Sequence, residues 1–342
     1  MNLASQVLQG NRLALARLLS QIENNTPEGR DALVELYPQT GRAHRIGVTG
    51  APGTGKSSLV NQLALHYRRP SSGEPLKVAV VAVDPSSPFT GGAILGDRVR
   101  MRDLAGDSNV FIRSMASRGS LGGLAAATSG VVQAFDAAGF ELILVETVGA
   151  GQAEVDIARL AHTTLVIEAP GLGDDIQAIK AGILEIADVL VINKADRPGV
   201  ENTERSLRSM LQLGHPTAHV FQDHTHKPGH GPAGLVPTAS AMQIEAQLWV
   251  PPIIRTVATE GQGIAELAAA IGKHRQHLAA SGELAQRELT RLRAELDLLL
   301  REALVARWQD RMPDERFAQT LERVARREIS PWQAADELAQ CV

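Results

Sequence analysis

Residues 46–62 read Ile46-Gly47-Val48-Thr49-Gly50-Ala51-Pro52-Gly53-Thr54-Gly55-Lys56-Ser57-Ser58-Leu59-Val60-Asn61-Gln62. Gly50, Gly55, Lys56 and Ser57 satisfy the spacing of a phosphate-binding P-loop. Glycines let the backbone curl until several N–H groups face one concavity, which suits phosphate oxygens. A helix starting near Lys56 adds the positive end of its dipole. The Lys56 ammonium is long enough to reach β- and γ-phosphates, and the Ser57 hydroxyl suits Mg²⁺. The candidate phosphate-binding residues are therefore Gly50, Pro52, Gly53, Thr54, Gly55, Lys56, Ser57 and Ser58. The flanks match what the pattern requires, with a short strand over 45–49 and a helix over 59–65, and this argues against an ordinary glycine-rich turn.

Working outward, four apolar runs share one form. Residues 77–83 end at Asp84, 142–145 at Glu146, 164–167 at Glu168 and 189–192 at Asn193. Continuous runs of this kind read as strands buried on both faces. Helix-compatible segments lie between them at 120–138, 152–161 and 174–187. Strands alternating with helices imply an α/β fold with a mostly parallel central sheet flanked by helices. Ligands of such sheets sit at the carboxyl ends of the strands. Asp84, Glu146 and Asn193, distant in sequence, are thus expected to converge on the rim that carries the P-loop.

The whole chain narrows the possibilities. Its 342 residues, 44% hydrophobic and 21% charged, allow one large or two modest globular domains. A formal net charge of −4 gives no global basic field for nucleic acid. Aromatic content of 3% demands an aliphatic core, as in helix-covered parallel sheets. The only cysteine, Cys341, excludes an intrachain disulfide and suits a reducing cytoplasm. No basic-then-apolar leader opens the sequence, and no apolar stretch approaches the roughly 18 residues that span a membrane.

Residues 1–40 read as helical, broken at Thr26-Pro27-Glu28-Gly29, with Asn25 or Thr26 as cap and Pro27 at the first position of the second helix. Five of the ten histidines fall in 214–235 (His215, His219, His224, His226 and His230). His215/His219 and His226/His230 are four apart, but no pair sits in a helical i, i+4 frame, and the Pro and Gly content favours a long surface loop over a metal site. From about 264 the chain is helical. Ala285, Leu289, Leu292, Leu296, Leu299 and Ala303 recur at alternating steps of four and three, a heptad seam among charged neighbours. Periodicity fits equally a helix packed on its own domain and one paired with a second copy.

Two further motifs carry chemistry. Asn193-Lys194-Ala195-Asp196 is the guanine-selecting motif of GTP-binding proteins, about 140 residues after the P-loop and directly after an apolar run. An Asp196 carboxylate accepts from guanine N1–H and the exocyclic amine. Adenine offers neither donor on that edge, a penalty on the order of several kcal/mol. Lys194 can lie along the base and reach back to the P-loop. Glu146-Thr147-Val148-Gly149 stands where many GTPases carry Asp-x-x-Gly, whose acid orients Mg²⁺ water and whose glycine N–H meets the γ-phosphate. Asp84 and Asp97 are alternative holders of the metal or its water, or else turn caps. Gln152 stands near the place of a water-positioning glutamine, at looser spacing. Arg98, Arg100, Arg102, Arg113 and Arg118 cluster after Asp97; none is assigned a role.

These residues resemble the MeaB/ArgK-type P-loop GTPases, which assist adenosylcobalamin-dependent acyl-CoA mutases. The resemblance rests on Gly50 to Ser58, Val83-Asp84-Pro85-Ser86-Ser87, the run Gly91 to Arg98, Phe111 to Gly119, Glu146 to Gln152, the run Gly171-Leu172-Gly173-Asp174-Asp175 to Lys180, and Asn193 to Asp196. It covers 46–196 densely and the flanks loosely. It implies an N-terminal helical extension (1–44), a GTPase domain (45–272) and a C-terminal helical dimerisation arm (273–342). It implies GTP or GDP with Mg²⁺, the metal surrounded by Ser57, Asp84, Asp97 and Glu146, and a slow hydrolysis carried by Lys56, Glu146 and Asp97. Gly149, Gln152, Asp174, Asp175 and Lys180 become switch residues that report the nucleotide state to a mutase. The implied role is a homodimeric chaperone that gates cofactor loading and protects the mutase. The family's last nucleotide motif usually reads Thr-Ser-Ala. Here Thr256-Val257-Ala258 precedes Thr259, and Val257, Ala258 and Thr259 are the implied base-side residues, acting through backbone N–H. The histidine-rich stretch is longer than the family's usual connection. It is the sole support for an alternative, a nickel-type metal-insertion GTPase, against which the lone Cys341 weighs. A second rival, a kinase passing phosphate to an acceptor, conflicts with the guanine motif.

Overall fold

The computed structural model describes residues 2–85, 101–104, 106–117, 123–147, 153–171, 185–213 and 249–340. Seven strands form one sheet: β1 His44–Gly50, β2 Val78–Pro85, β3 Val110–Ser117, β4 Leu142–Thr147, β5 Thr163–Glu168, β6 Val189–Ile192 and β7 Ile253–Arg255. Their order is β3-β2-β4-β1-β5-β6-β7, and every pairing is parallel. The helices among the described residues are α1 Leu3–Leu8, α2 Arg12–Glu23, α3 Pro27–Leu36, α4 Lys56–Arg68, α5 Gly123–Ala137, α6 Ala153–Leu160, α7 Val200–Leu213, α8 Ile264–Ser281, α9 Glu283–Arg311, α10 Asp314–Ala325 and α11 Pro331–Ala339. The parallel α/β sheet expected from the apolar runs is present. β3 and β7 extend it. β3 is an edge strand whose run is interrupted by Arg113 and Ser114, and β7 has only three residues, so neither shows the continuous apolar signal. Most of the expected helix at 174–187 lies outside the described residues.

Strand residues feed two apolar layers in alternation. Ala79, Val81 and Val83 of β2, with Ile143 and Val145 of β4, face a cluster containing Leu18, Leu19, Leu36 and Phe135. Val78, Val80, Leu142 and Leu144 face the opposite cluster, with Leu59, Val60 and Leu63 of α4 and Leu267 and Ile271 of α8. Both faces of the sheet are therefore dry, as parallel pairing requires.

The N-terminal helices are capped by short polar side chains. Asn2, Asn11 and Thr26 each accept a backbone N–H from inside the following helix, at 2.9, 3.0 and 3.1 Å. Thr26 is thus the cap of α3, with Pro27 at its first position. Asn25 instead adopts φ 52° and accepts from Arg30 Nε at 2.8 Å. Buried Asp136 of α5 accepts the N–H groups of Gly41, Arg42 and Ala43, fixing where the chain enters β1. Arg113 of β3 turns away from the strand ends and pairs with Glu23 and Ser20 of α2. It anchors the helical extension and does not reach the rim. Arg98, Arg100 and Arg118 lie outside the described residues.

The chain divides into two compact units, Met1–Thr290 and Arg291–Val342. In the second, Trp308 Nε1 donates to the Leu338 carbonyl at 2.9 Å and Arg323 pairs with Glu337 at 2.7 Å. α9 buries none of its residues, and Leu289, Leu296 and Leu299 of the heptad seam are 63%, 68% and 47% exposed.

Within the first unit, the roots of β1, β5 and β6 share a buried polar chain. His44 Nε2 lies 3.0 Å from Thr163 Oγ1, which lies 2.9 Å from His274 Nδ1. His274 Nε2 is 3.2 Å from Asp188, and Arg287 donates two hydrogen bonds to the same carboxylate at 2.8 and 2.9 Å. The carboxylate favours the proton on His274 Nε2, so Nδ1 accepts from the Thr163 hydroxyl and the Thr163 oxygen accepts from His44. Burial, reinforced by the positive charge of Arg275, pushes His44 down to about 3. Between that value and the ordinary 6.5, only the unfolded chain binds this proton. Stability from His44 is therefore complete above pH 6.5 and is lost as pH falls toward 3. Denaturation of the wild type should show this loss at about 1.4 kcal/mol per pH unit for one proton. A His44→Gln variant, which keeps a donor to Thr163, should show a shallower slope; an identical slope would remove His44 as its source.

Candidate nucleotide-binding site

The carboxyl ends of β1, β4 and β6 and the loop after β7 meet in one place. Register explains the convergence: Val48 stands opposite Glu146, Gly50 opposite Ile167, and Glu168 opposite Ile192. The P-loop leaves β1 at Gly50, whose φ is 140°. A Cβ there would lie 2.1 Å from the Ile167 carbonyl, so only glycine fits. Gly55, at φ 91°, likewise leaves room for Asn193 Nδ2, which a Cβ would meet at 2.5 Å. α4 then begins at Lys56, so its first N–H groups open into the loop.

Lys56 Nζ donates to the Gly50 and Ala51 carbonyls at 2.8 and 3.0 Å, folding the ammonium back across the loop. Thr54 Oγ1 donates to the Ala51 carbonyl at 2.9 Å, tightening the same curl. Pro52 and Gly53 form its exposed crest, and Ser58 is half-buried at the start of α4. The Ser57 hydroxyl donates to Glu146 Oε1 at 2.7 Å, with both residues buried. Two hard oxygen donors thus sit side by side at the mouth of a concavity lined by N–H groups, a donor set suited to Mg²⁺.

Asn193 binds the halves of the site together. Its Nδ2 donates to the Thr54 carbonyl at 2.8 Å, while its Oδ1 accepts from Thr256 Oγ1 at 3.2 Å and from the Ala258 N–H at 3.1 Å. Lys194, at φ 57°, sends Nζ to the Gly53 carbonyl at 2.5 Å, the return to the P-loop expected from the motif. Asp196 is exposed on the same loop. Val257 is buried and donates its N–H to the Gln262 carbonyl at 3.1 Å; Thr259 is exposed beside it.

The structure therefore brings together the P-loop residues, Glu146, the stretch 193–196 and the stretch 256–259. Asp84 falls at the end of β2, one residue beyond the pairing of Val83 with Thr147. Asp97, Gly149, Gln152, Asp174, Asp175, Lys180 and the histidine-rich stretch lie outside the described residues. Sequence reasoning missed the Thr256 hydroxyl as a partner of Asn193. Its signal, a threonine directly after a strand, was hidden because β7 itself went unread. It also missed the buried contact of Thr147 Oγ1 with Thr49 Oγ1, 3.2 Å apart, which ties β4 to β1 beneath the loop.

Comparison with known proteins agrees with this geometry. A GTPase of Pyrococcus horikoshii is 42% identical, covering 98% of this chain and 95% of the relative. GTPase ArgK of Escherichia coli is 36% identical, covering 81% of this chain and 76% of ArgK. The mitochondrial methylmalonic aciduria type A homolog of Mus musculus is 28% identical over 97% of this chain and 77% of its own length. A solved structure described as a LAO/AO transport system kinase superposes with a TM-score of 0.65 at 27% identity, covering 99% of this chain and 95% of that one. The Pyrococcus horikoshii and Escherichia coli relatives are named as GTPases, the activity of this family. Residues 15–313 match the model of the methylmalonyl-CoA mutase-associated GTPase MeaB, and the chain belongs to that family.

Proposed function

We propose that this GTPase uses Mg²⁺ and works as a cytoplasmic, homodimeric chaperone of an adenosylcobalamin-dependent acyl-CoA mutase, gating cofactor loading and protecting the enzyme. The observation that carries the catalytic part is the pairing of Ser57 with Glu146 at the mouth of a P-loop that Asn193 joins to the base side.

In this reading the backbone N–H groups of residues 53–57 and the Lys56 ammonium hold the β- and γ-phosphates. Lys56 exchanges the Gly50 and Ala51 carbonyls for phosphate oxygens when substrate enters. Its charge then stabilises the negative charge that builds on the bridging oxygen as water attacks the γ-phosphorus. Mg²⁺ held there would neutralise part of the phosphate charge. Ser57 gives that ion its hydroxyl oxygen, and Glu146, with Asp97 and Asp84 from the preceding stretch, orders the surrounding water. Asp196 accepts from the guanine edge, and the Lys194 stem lies along the base. Residues 149–152 and 171–180, with Gly149, Gln152, Asp174, Asp175 and Lys180, act as switches toward the mutase.

The partner assignment follows the family's name and the naming of the mouse relative. The domain roles follow the same reading: 1–44 as helical extension, 45–272 as GTPase domain, and 273–342 as dimerisation arm. Support for the arm is the row of exposed leucines on α9, which a single chain leaves in water. No helix among the described residues is long and apolar enough to cross a membrane.

Asp196→Asn should weaken GTP by about a hundredfold or more while improving xanthosine triphosphate, because the swapped amide offers a donor where guanine needs an acceptor. Equal GTP affinity in both proteins would remove the base assignment. Mixing the purified protein with a purified adenosylcobalamin-dependent acyl-CoA mutase should raise GTP turnover, and light scattering of the free protein should give twice the 36.5 kDa chain mass. Unchanged turnover would argue against the mutase as partner, and a monomer mass would argue against the arm.

A further inference from the structure

One buried polar group beside the site is not used by the reading above. Asn61 lies on α4 one helical turn beyond Ser57, on the same side of the helix, and is 5% exposed. Its Nδ2 points to Asp103 Oδ2 at 3.5 Å, a long contact, and its Oδ1 has no hydrogen-bond partner among the described residues. An acceptor kept dry without a partner is costly, so the site is built for a donor.

Asp103 belongs to the short turn Arg102–Leu104, which begins the described chain again after residue 100. Met101 and Leu104 of this segment are 1% and 3% exposed and join the apolar cluster of Leu59, Val60 and Leu63 on α4. Farther along, Arg68 grips Asp107 with Nε at 2.8 Å and Nη2 at 3.2 Å, and sends Nη1 to the Leu76 carbonyl at 2.7 Å. The segment is therefore strapped along α4 by a bidentate ion pair at the far end and by a long, half-made contact at the end nearer Ser57. It starts four residues after Asp97.

We propose that Asn61 is a positioning residue for GTP hydrolysis: it latches the 101–104 turn to the P-loop helix one helical turn beyond Ser57, and so steadies the start of that helix. With nucleotide bound, the Asn61–Asp103 contact shortens and Oδ1 takes a backbone N–H of the turn. The latch does not touch the reacting atoms. It acts through the start of the helix, and this rests on the Mg²⁺–GTP reading of the site.

The test compares Asn61→Leu and Asp103→Ala in the full chain. Because Asp103 is exposed, its variant keeps the core intact. Each should lower kcat about tenfold and raise the Mg²⁺ concentration for half-maximal turnover, while GDP binding measured in chelator stays within about twofold. The double variant should be no worse than either single one, as expected for two ends of one contact. Asp103→Asn, which restores an amide partner, should recover most of the rate. Normal kcat and Mg²⁺ dependence in Asp103→Ala would overturn the latch, as would additive losses in the double variant. If the wild type bound no GDP, the site reading itself would fail, a result separate from either of these.

Discussion

The Asn193 side-chain amide joins the P-loop to the loop that follows β7. Its three hydrogen bonds admit one orientation: the NH₂ group must face the Thr54 carbonyl, and the oxygen must face the Thr256 hydroxyl and the Ala258 N–H. An aspartate could not donate, and a leucine could do neither. Each bond contributes only about 1 kcal/mol net, but a partner left buried and unpaired costs about 1–3 kcal/mol. Asn193 is 2% exposed, so no water stands ready to replace it.

The sheet places that amide without help from the loops. β6 is four residues long and runs from buried Asp188 at its root to Asn193 at its tip. The root is locked by Arg287 and lies against His274, and the tip is locked to the P-loop. β1 repeats the arrangement, with His44 at the root and Gly50 at the tip. Both strands are thus clamped at their two ends, and the apolar layers between fix their spacing. Thr163, His274 and Asp188 have the residue types of a nucleophile, base and orienting acid, but all three are buried at the strand roots, opposite the ligand rim, and serve as structure.

Much of this was legible in the sequence. The four runs ending at Asp84, Glu146, Glu168 and Asn193 foretold parallel strands, because a strand covered on both faces has no polar alternation to hide it. The P-loop and Asn193 to Asp196 were legible because their chemistry demands particular residues at fixed spacing. β3 was not, since an edge strand tolerates Arg113 and Ser114, and here the arginine is used to hold α2. β7 was too short to register. The root network was invisible for a different reason: His44, Thr163, Asp188, His274 and Arg287 meet only through the fold, and none has a spacing that singles it out. The heptad on α9 was legible as a pattern, and in the single chain its Leu289, Leu296 and Leu299 face water.

The account's central claim is that the phosphate loop and the base loop form one pocket because Asn193 ties them. Calorimetric titration of GDP into wild type and Asn193→Ala tests it most directly. The account predicts clear heat with GDP for the wild type, and for the variant an affinity lower by about a hundredfold or more, matching the loss of a buried bridge worth on the order of 3 kcal/mol. Equal GDP affinity in the two proteins would show that the loops hold their places without the amide and would contradict the claim.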